Sequence, residues 1–155
     1  MKDNAFFVKL DAADQRKRLG RTWQSSTMKW WKKQCDHALV KSYTPRQDDI
    51  RLEDGIELFR TWSKQFNEPK SWVWARGNLD QLIIDAAEEQ LEVEPVFHFG
   101  RWRDVRTAVD FLYGTDNGYC SVDYPAFDSF LHITKHDPVD DCILDAMMLL
   151  YGVKK

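Results

Sequence analysis

A chain of 155 residues fits one domain of ordinary size, and 43% hydrophobic content with seven Trp, nine Phe and five Tyr excludes a disordered or low-complexity segment. The formal net charge of −3 excludes a globally basic nucleic-acid binder, so any contact with a polyanion must come from local basic patches. Cys35, Cys120 and Cys142 form no C-x-x-C pair, a pattern that suits reduced thiols better than a disulfide framework or a zinc site.

The amino-terminal stretch has no long apolar run and no cleavage-site pattern, and no window approaches the length of a membrane span. A soluble, cytoplasmic protein without membrane contact is the expectation. Phe6 to Leu10 reads as a short strand, followed by the basic run Arg16, Lys17, Arg18 and Arg21. Such a run is most simply a wet surface. Ser25, Ser26 and Thr27 offer capping hydroxyls to a helix from about Met28 to Gln34. That helix sets Trp30 and Trp31 beside Lys29, Lys32 and Lys33. Core packing is the plain reading of the two indoles, and stacking on bases is the alternative.

After Pro45 a second helix runs from about Leu52 to Phe66, with Leu52, Ile56, Phe59, Trp62 and Phe66 recurring at helical spacing as one buried face. Pro69 closes it, and Ser71 to Trp74 reads as a buried strand. A third helix starts near Asn78, with Leu79, Leu82, Ile83, Ala86 and Ala87 as its inner stripe. Beyond Pro95, Trp102 to Val105 reads as a strand leading into a helix from Thr107 to about Tyr113. Residues 114–130 are rich in turn formers and predict a long loop. The last helix has Asp137 as its cap, Pro138 at its first position and an apolar face of Val139, Ile143, Ala146, Met147 and Leu150, and Gly152 ends it. Strands alternating with helices predict an α/β fold in a single domain over 1–155.

Three constellations carry possible chemistry. His136 stands just before the last helix and Asp141 lies in its first turn. A carboxylate there can hold a divalent metal while the imidazole takes a proton from water. Plain helix capping explains the same acids, and periodicity does not choose Asp141 over Asp140. Asp80 lies in the first turn of the third helix, just after a strand and the Arg76–Gly77 turn, where α/β sheets display functional side chains. Capping is again the simpler reading. Arg101, Arg103, Asp104 and Arg106 cluster near a strand end, where basic residues can contact phosphates, although solvated charge or an internal Arg–Asp pair serves as well. No Walker loop, G-x-G-x-x-G, G-x-S-x-G or H-E-x-x-H is present, and His37, His98 and His132 lack ligand-spaced partners.

In order along the chain, SSTMKWWKKQ, WARGNLDQLII, FGRWRDVRT and HDPVDDC resemble the motifs of the DexA exonucleases of T-even-type phages and related bacterial exoribonucleases, which are 3′–5′ nucleases of the DEDDh class. The similarity runs from Phe6 to Tyr151. It implies an RNase H-like exonuclease fold with a mixed central sheet flanked by helices. It also implies catalytic roles for three residues: Asp80 and Asp141 as metal ligands, and His136 as general base. Arg76, Asn78, Asp104 and Arg106 become substrate-side positions. The implied cofactors are two Mg²⁺ or Mn²⁺ ions, and the implied substrates are 3′ ends of single-stranded DNA or RNA, releasing nucleoside 5′-monophosphates.

Two departures accompany the resemblance. The turn before Asp80 is one residue shorter than the family's Gly-x-Ser-Phe-Asp form. The family's first motif, Asp-x-Glu on an initial strand, occurs nowhere, and Glu92-Val93-Glu94 is the only acid-x-acid triplet. The chain therefore starts at what resembles the third strand of the family fold, with the amino-terminal strands missing. An open sheet edge is expected, inviting a complementing amino-terminal fragment or self-association. A catalytically inactive nucleic-acid-binding remnant and a protein-interaction domain are the alternatives.

Overall fold

The computed structural model describes residues 4–66, 71–125 and 132–154. The predicted stop at Pro69 and the loop residues 126–130 lie outside them. The rest is α/β, with short strands set among helices.

Helix α1 (Ala12–Leu19) starts at Asp11, whose carboxylate accepts the N–H groups of Ala13 and Asp14, and stops at Gly20 in the left-handed region. The predicted strand at Phe6–Leu10 is replaced by an irregular segment. Only Leu10 makes a bridge there, parallel to Ile50. Helix α2 spans Ser25–Trp31 and is capped from Gln24 without a side-chain bond, so the three hydroxyl residues sit inside the helix instead of before it. Helix α3 (Asp36–Ala38) passes into a π-helical turn at Leu39–Tyr43, closed by the Thr44 N–H to the Leu39 carbonyl at 2.7 Å.

Helix α4 (Leu52–Ser63) buries Leu52 and Ile56 as predicted, while Phe66 lies in a following 3₁₀ turn and is exposed. Strand β1 (Val73–Ala75), helix α5 (Leu79–Leu91) and strand β2 (Trp102–Asp104) form a parallel crossover unit, with Val73 opposite Trp102 and Ala75 opposite Asp104. Helix α6 (Val105–Tyr113) follows directly, capped by Asp104 two residues earlier than the sequence suggests. Strand β3 (Ser121–Val122) interrupts the expected loop and pairs antiparallel with β4 (Gly152–Val153) at the end of helix α7 (Pro138–Tyr151). The single mixed sheet expected from the resemblance is thus, among the described residues, two separate two-stranded sheets.

Two apolar clusters hold these elements. One joins Leu52 and Ile56 of α4 to Ala87 of α5 and Val96, with Leu10, Phe59 and Phe97 packed around them. The other joins Val105 and Val109 of α6 to Met148 of α7, with Tyr113 and Val122 against them. Two predicted faces need correction. On α7 the buried set is Asp140, Ile143, Met147 and Met148, and Leu150 is 69% exposed. On α5 only Ala87 of the predicted stripe is buried, whereas Leu79, Leu82 and Ile83 are 63%, 55% and 48% exposed. Helical periodicity marks an apolar face but says nothing of what covers it, and here nothing among the described residues does.

Candidate active site

The amino end of α7 is built around Asp137. Its carboxylate accepts the N–H of Val139 at 3.0 Å and of Asp140 at 3.4 Å, satisfying donors that the first helical turn leaves free. Lys41, from the π turn, places its ammonium 2.8 and 2.7 Å from the two oxygens, and His37 Nε2 stands 2.8 Å from Oδ2. Asp137 is 2% exposed. Burial alone would push its carboxyl up, but the bonds from Lys41, His37, Asp140 and Val139 outweigh it and hold the group down at about 2.

His136 precedes this cap with φ of 67°, a left-handed conformation uncommon for a residue with a side chain. Its backbone N–H points to Asp141 Oδ1 at 3.3 Å, so histidine and aspartate share the helix mouth. Its ring meets Trp30 edge to face, with centroids 4.7 Å apart. Asp140 is turned the other way, buried, its Oδ2 accepting the Thr134 N–H at 2.9 Å. That difference separates the two acids where periodicity does not.

Asp80 lies in the first turn of α5, on the surface by area. Protein mass around its carboxyl nevertheless pushes it up, and the Asp145 carboxylate adds to the push. Asp141 is pushed up first by burial, against the His136 N–H bond, and again by Asp145. Cys142 is exposed by area, yet protein mass around its thiol pushes it up, and Asp145, Asp80 and Asp141 add to the push. Asp80 and Asp141 therefore share one electrostatic neighbourhood around Cys142, with Asp145 common to both. The sequence reading missed Asp145. It stands one helical turn beyond Asp141, and the i, i+4 spacing was the available signal.

Of the remaining expected positions, Arg76 and Asp104 have internal side-chain partners, and Arg106 is held through its backbone N–H. Arg76 directs Nε (2.9 Å) and Nη2 to Asp145 Oδ1 and Nη1 to the Gly118 carbonyl at 3.0 Å, and its guanidinium lies 4.3 Å from the Tyr119 ring centroid. Asp104 Oδ1 accepts the Gly77 N–H at 2.8 Å and the Arg106 N–H at 3.1 Å, while Oδ2 takes the Thr107 N–H and hydroxyl. Asp104 thus ties the turn before Asp80 to the start of α6. Burial opposes its charge, but these bonds hold its carboxyl below the usual range. Asn78 precedes α5, exposed, and lines a hollow of about 370 Å³ with Gly77, Gln81, Trp102, Arg103 and Asp104.

Carboxylate oxygens are hard donors, so this donor set fits Mg²⁺ or Mn²⁺ in kind. It falls short in number: among the described residues no three His, Cys, Asp or Glu side chains stand close enough to hold one ion. No helix among them is long and apolar enough to cross a membrane.

A family model described as the 3′-5′ exoribonuclease Rv2179c-like domain matches residues 4–152. An exodeoxyribonuclease of Enterobacteria phage T4 is 30% identical over 165 aligned residues, which cover 95% of this chain and 70% of that enzyme. No solved structure matches significantly. With the family model spanning nearly the whole sequence, and a phage exonuclease aligned along almost all of it, the chain belongs to the Rv2179c-like exonuclease domain family, a family of nucleases.

Proposed function

We propose that this chain carries the Asp80, Asp141 and His136 side of a metal-dependent 3′–5′ exonuclease centre of the DEDDh, RNase H-like type. The observation that carries the reading is the His136–Asp141 hydrogen bond at the mouth of α7, beside an electrostatic neighbourhood that includes Asp80. Asp80 and Asp141 hold the metal side. His136, fixed by its backbone bond, accepts a proton from the attacking water through its imidazole. Mg²⁺ or Mn²⁺, if held there by Asp80 and Asp141 with further carboxylates, would supply charge neutralisation at the scissile phosphate. Arg106 and Asn78 face the substrate, and Asp104 and Arg76 act by fixing the turn and Asp145. The substrate is a single-stranded DNA or RNA 3′ end, and the product a nucleoside 5′-monophosphate.

Two aspartates cannot offset the charge of two divalent ions beside a polyanion, so further carboxylates are required from outside these residues. Among the described residues β1 pairs only with β2, and its unpaired edge together with the exposed Trp74, Leu79, Leu82 and Ile83 supports a complementing segment, or a second copy, docked there. The shortage of ligands also favours a second reading: a nucleic-acid-binding domain that does not cut. The two part in one assay. Single-stranded DNA and RNA carrying a 3′ label are incubated with Mn²⁺ or Mg²⁺ and either wild type or His136→Ala. Label release by wild type alone supports the nuclease. Equal release from both removes His136 from the mechanism, and binding without release from either favours the non-cutting domain.

A further inference from the structure

His136 stands in a turn that favours glycine. Its φ is 67°, and it is the third residue of a tight turn closed by the Asp137 N–H to the Thr134 carbonyl at 3.1 Å. A residue with a side chain persists in that strained conformation only where its surroundings impose it. The direction of the imidazole is therefore set by whatever holds the turn. Part of the hold is local. The Thr134 N–H bonds Asp140 Oδ2 at 2.9 Å, and the His136 N–H points to Asp141 Oδ1 at 3.3 Å. Those partners are 6 and 5 positions away, so they can shift together with the turn.

The rest of the hold comes from far along the chain. His37 of α3 and Lys41 of the π turn are 100 and 96 positions from Asp137, the residue joined to His136. The Lys41 ammonium spans both Asp137 oxygens, and His37 Nε2 adds a third bond on Oδ2. On its other side the same carboxylate caps Val139 and Asp140. Gripped from both sides, it fixes the backbone on which His136 hangs. The π turn that aims Lys41 is a rare form of backbone, and such turns recur at functional sites. The same part of the chain also meets the ring of His136. Trp31 stacks on Tyr43 with centroids 6.3 Å apart, whereas Trp30 stays 44% exposed, contrary to the core packing that the sequence suggests, and touches the imidazole edge to face.

We infer that Lys41 and His37 are positioning residues for His136: through Asp137 they keep its turn left-handed and its imidazole at the mouth of α7. Both act on the Asp137 carboxylate and not on the substrate. Without Lys41 the carboxylate is free to turn about its own bond, the strained turn relaxes, and the ring leaves its place. This inference rests on the nuclease reading for what the imidazole does, but where the imidazole lies is measured without cutting.

The measurement is the NMR signal of the His136 Cε1–H in protein with isotope-labelled histidine, the four histidines being assigned by changing each in turn to Gln. In wild type the Trp30 ring, 4.7 Å away, should displace this signal from its position in the urea-unfolded protein. Lys41→Met should move it at least halfway back. Lys41→Arg, whose fork can still grip the carboxylate, should leave it near the wild-type position. His37→Ala keeps Lys41 and removes a side chain that is 59% exposed, so it folds even where Lys41→Met does not, and it should give a smaller movement in the same direction. The His98 and His132 signals should stay in place throughout, which a general loosening of the fold would not allow. With 3′-labelled single strands and Mn²⁺, Lys41→Met should lower kcat by about tenfold or more and leave KM within about twofold. A His136 signal that neither Lys41→Met nor His37→Ala moves overturns the proposal, as does a movement that Lys41→Arg shares. So does an active wild type whose kcat survives Lys41→Met. Absence of nucleotide release from wild type, with the signal moving as stated, would instead count against the nuclease reading and leave the positioning of the ring standing.

Discussion

Lys41 and Asp137 are 96 positions apart in sequence, yet their charged groups meet at 2.7 Å and fasten the π-helical turn to the cap of α7. The pair is buried on the aspartate side and holds the carboxyl at about 2, below its ordinary 3.8, so the stabilisation follows pH in a definite direction. Folding favours the ionised form. The contribution is complete above the ordinary carboxylate value and is lost as pH falls toward 2. Lys41→Met should cost about 2 kcal/mol at neutral pH, less than breaking a fully buried pair costs, because the lysine is partly exposed and His37 still bonds the carboxylate. Urea unfolding at stepped pH should show the gap between wild type and variant closing below pH 4. A gap that stays constant down to pH 2 would mean that the ion pair does not set the stability of the cap.

Arg76 is the corresponding clasp on the other side of the site. Its fork holds Asp145, which raises both Asp80 and Asp141. Arg76→Gln removes the cation and leaves a half-buried carboxylate beside two others. A loss of about 2 kcal/mol is expected, and Arg76→Lys should recover little of it, since an ammonium cannot reproduce the fork. Divalent cations should then help the variant more than the wild type: millimolar Mn²⁺ should raise the urea midpoint of Arg76→Gln by more than it raises that of the parent protein. Equal shifts would show that Asp145 does not act on the pair.

Local signals were legible where one segment contained all of their parts. Asp137 followed by Pro138 announces the start of α7, and the structure puts cap and first turn there. The apolar run ending at Trp74 and the run at Trp102 mark the two parallel strands within a residue or two. What stayed hidden depends on distant partners. Asp145 looks like any helical acid until Arg76, 69 positions away, is set against it. His37 has no ligand spacing, and its bond to Asp137 spans 100 positions. The left-handed turn at His136 leaves no mark in composition. The stripe on α5 was read correctly as apolar and wrongly as inner, because a pattern of period 3.6 fixes which residues share a face and not whether that face meets protein or water.

That open face gives a third prediction. Leu82 and Ile83 are half exposed, so replacing both by Gln removes little burial and should change unfolding free energy by less than about 0.5 kcal/mol each. If the face drives self-association, sedimentation velocity over rising protein concentration should show wild type gaining mass while the double variant stays monomeric. A clear loss of stability would mean instead that the two side chains are packed in solution. Identical sedimentation of both proteins would remove self-association through this face.

Gly118 ties the loop after α6 to the site, and it tests whether that loop and the Arg76 clasp work as a unit. Its φ is 71°, and a Cβ built there would stand 2.6 Å from Arg106 Cγ, 2.7 Å from Cβ and 3.0 Å from the backbone Cα. The flexible end of Arg106 is not what blocks the way; the stem and backbone are. Gly118→Ala therefore meets both a strained dihedral and a clash, and a loss of about 2 kcal/mol is expected. The same residue gives its carbonyl to Arg76 Nη1 and its N–H to Asp110 Oδ1 at 2.8 Å. A shifted loop withdraws the carbonyl, and Arg76 then loses part of its hold on Asp145. The costs of Gly118→Ala and Arg76→Gln should accordingly fail to add. In a double-mutant cycle by urea unfolding, the combined variant should lose at least about 0.5 kcal/mol less than the sum of the two single changes. Strict additivity would mean that loop and clasp are independent, and that Gly118 matters only for its own turn.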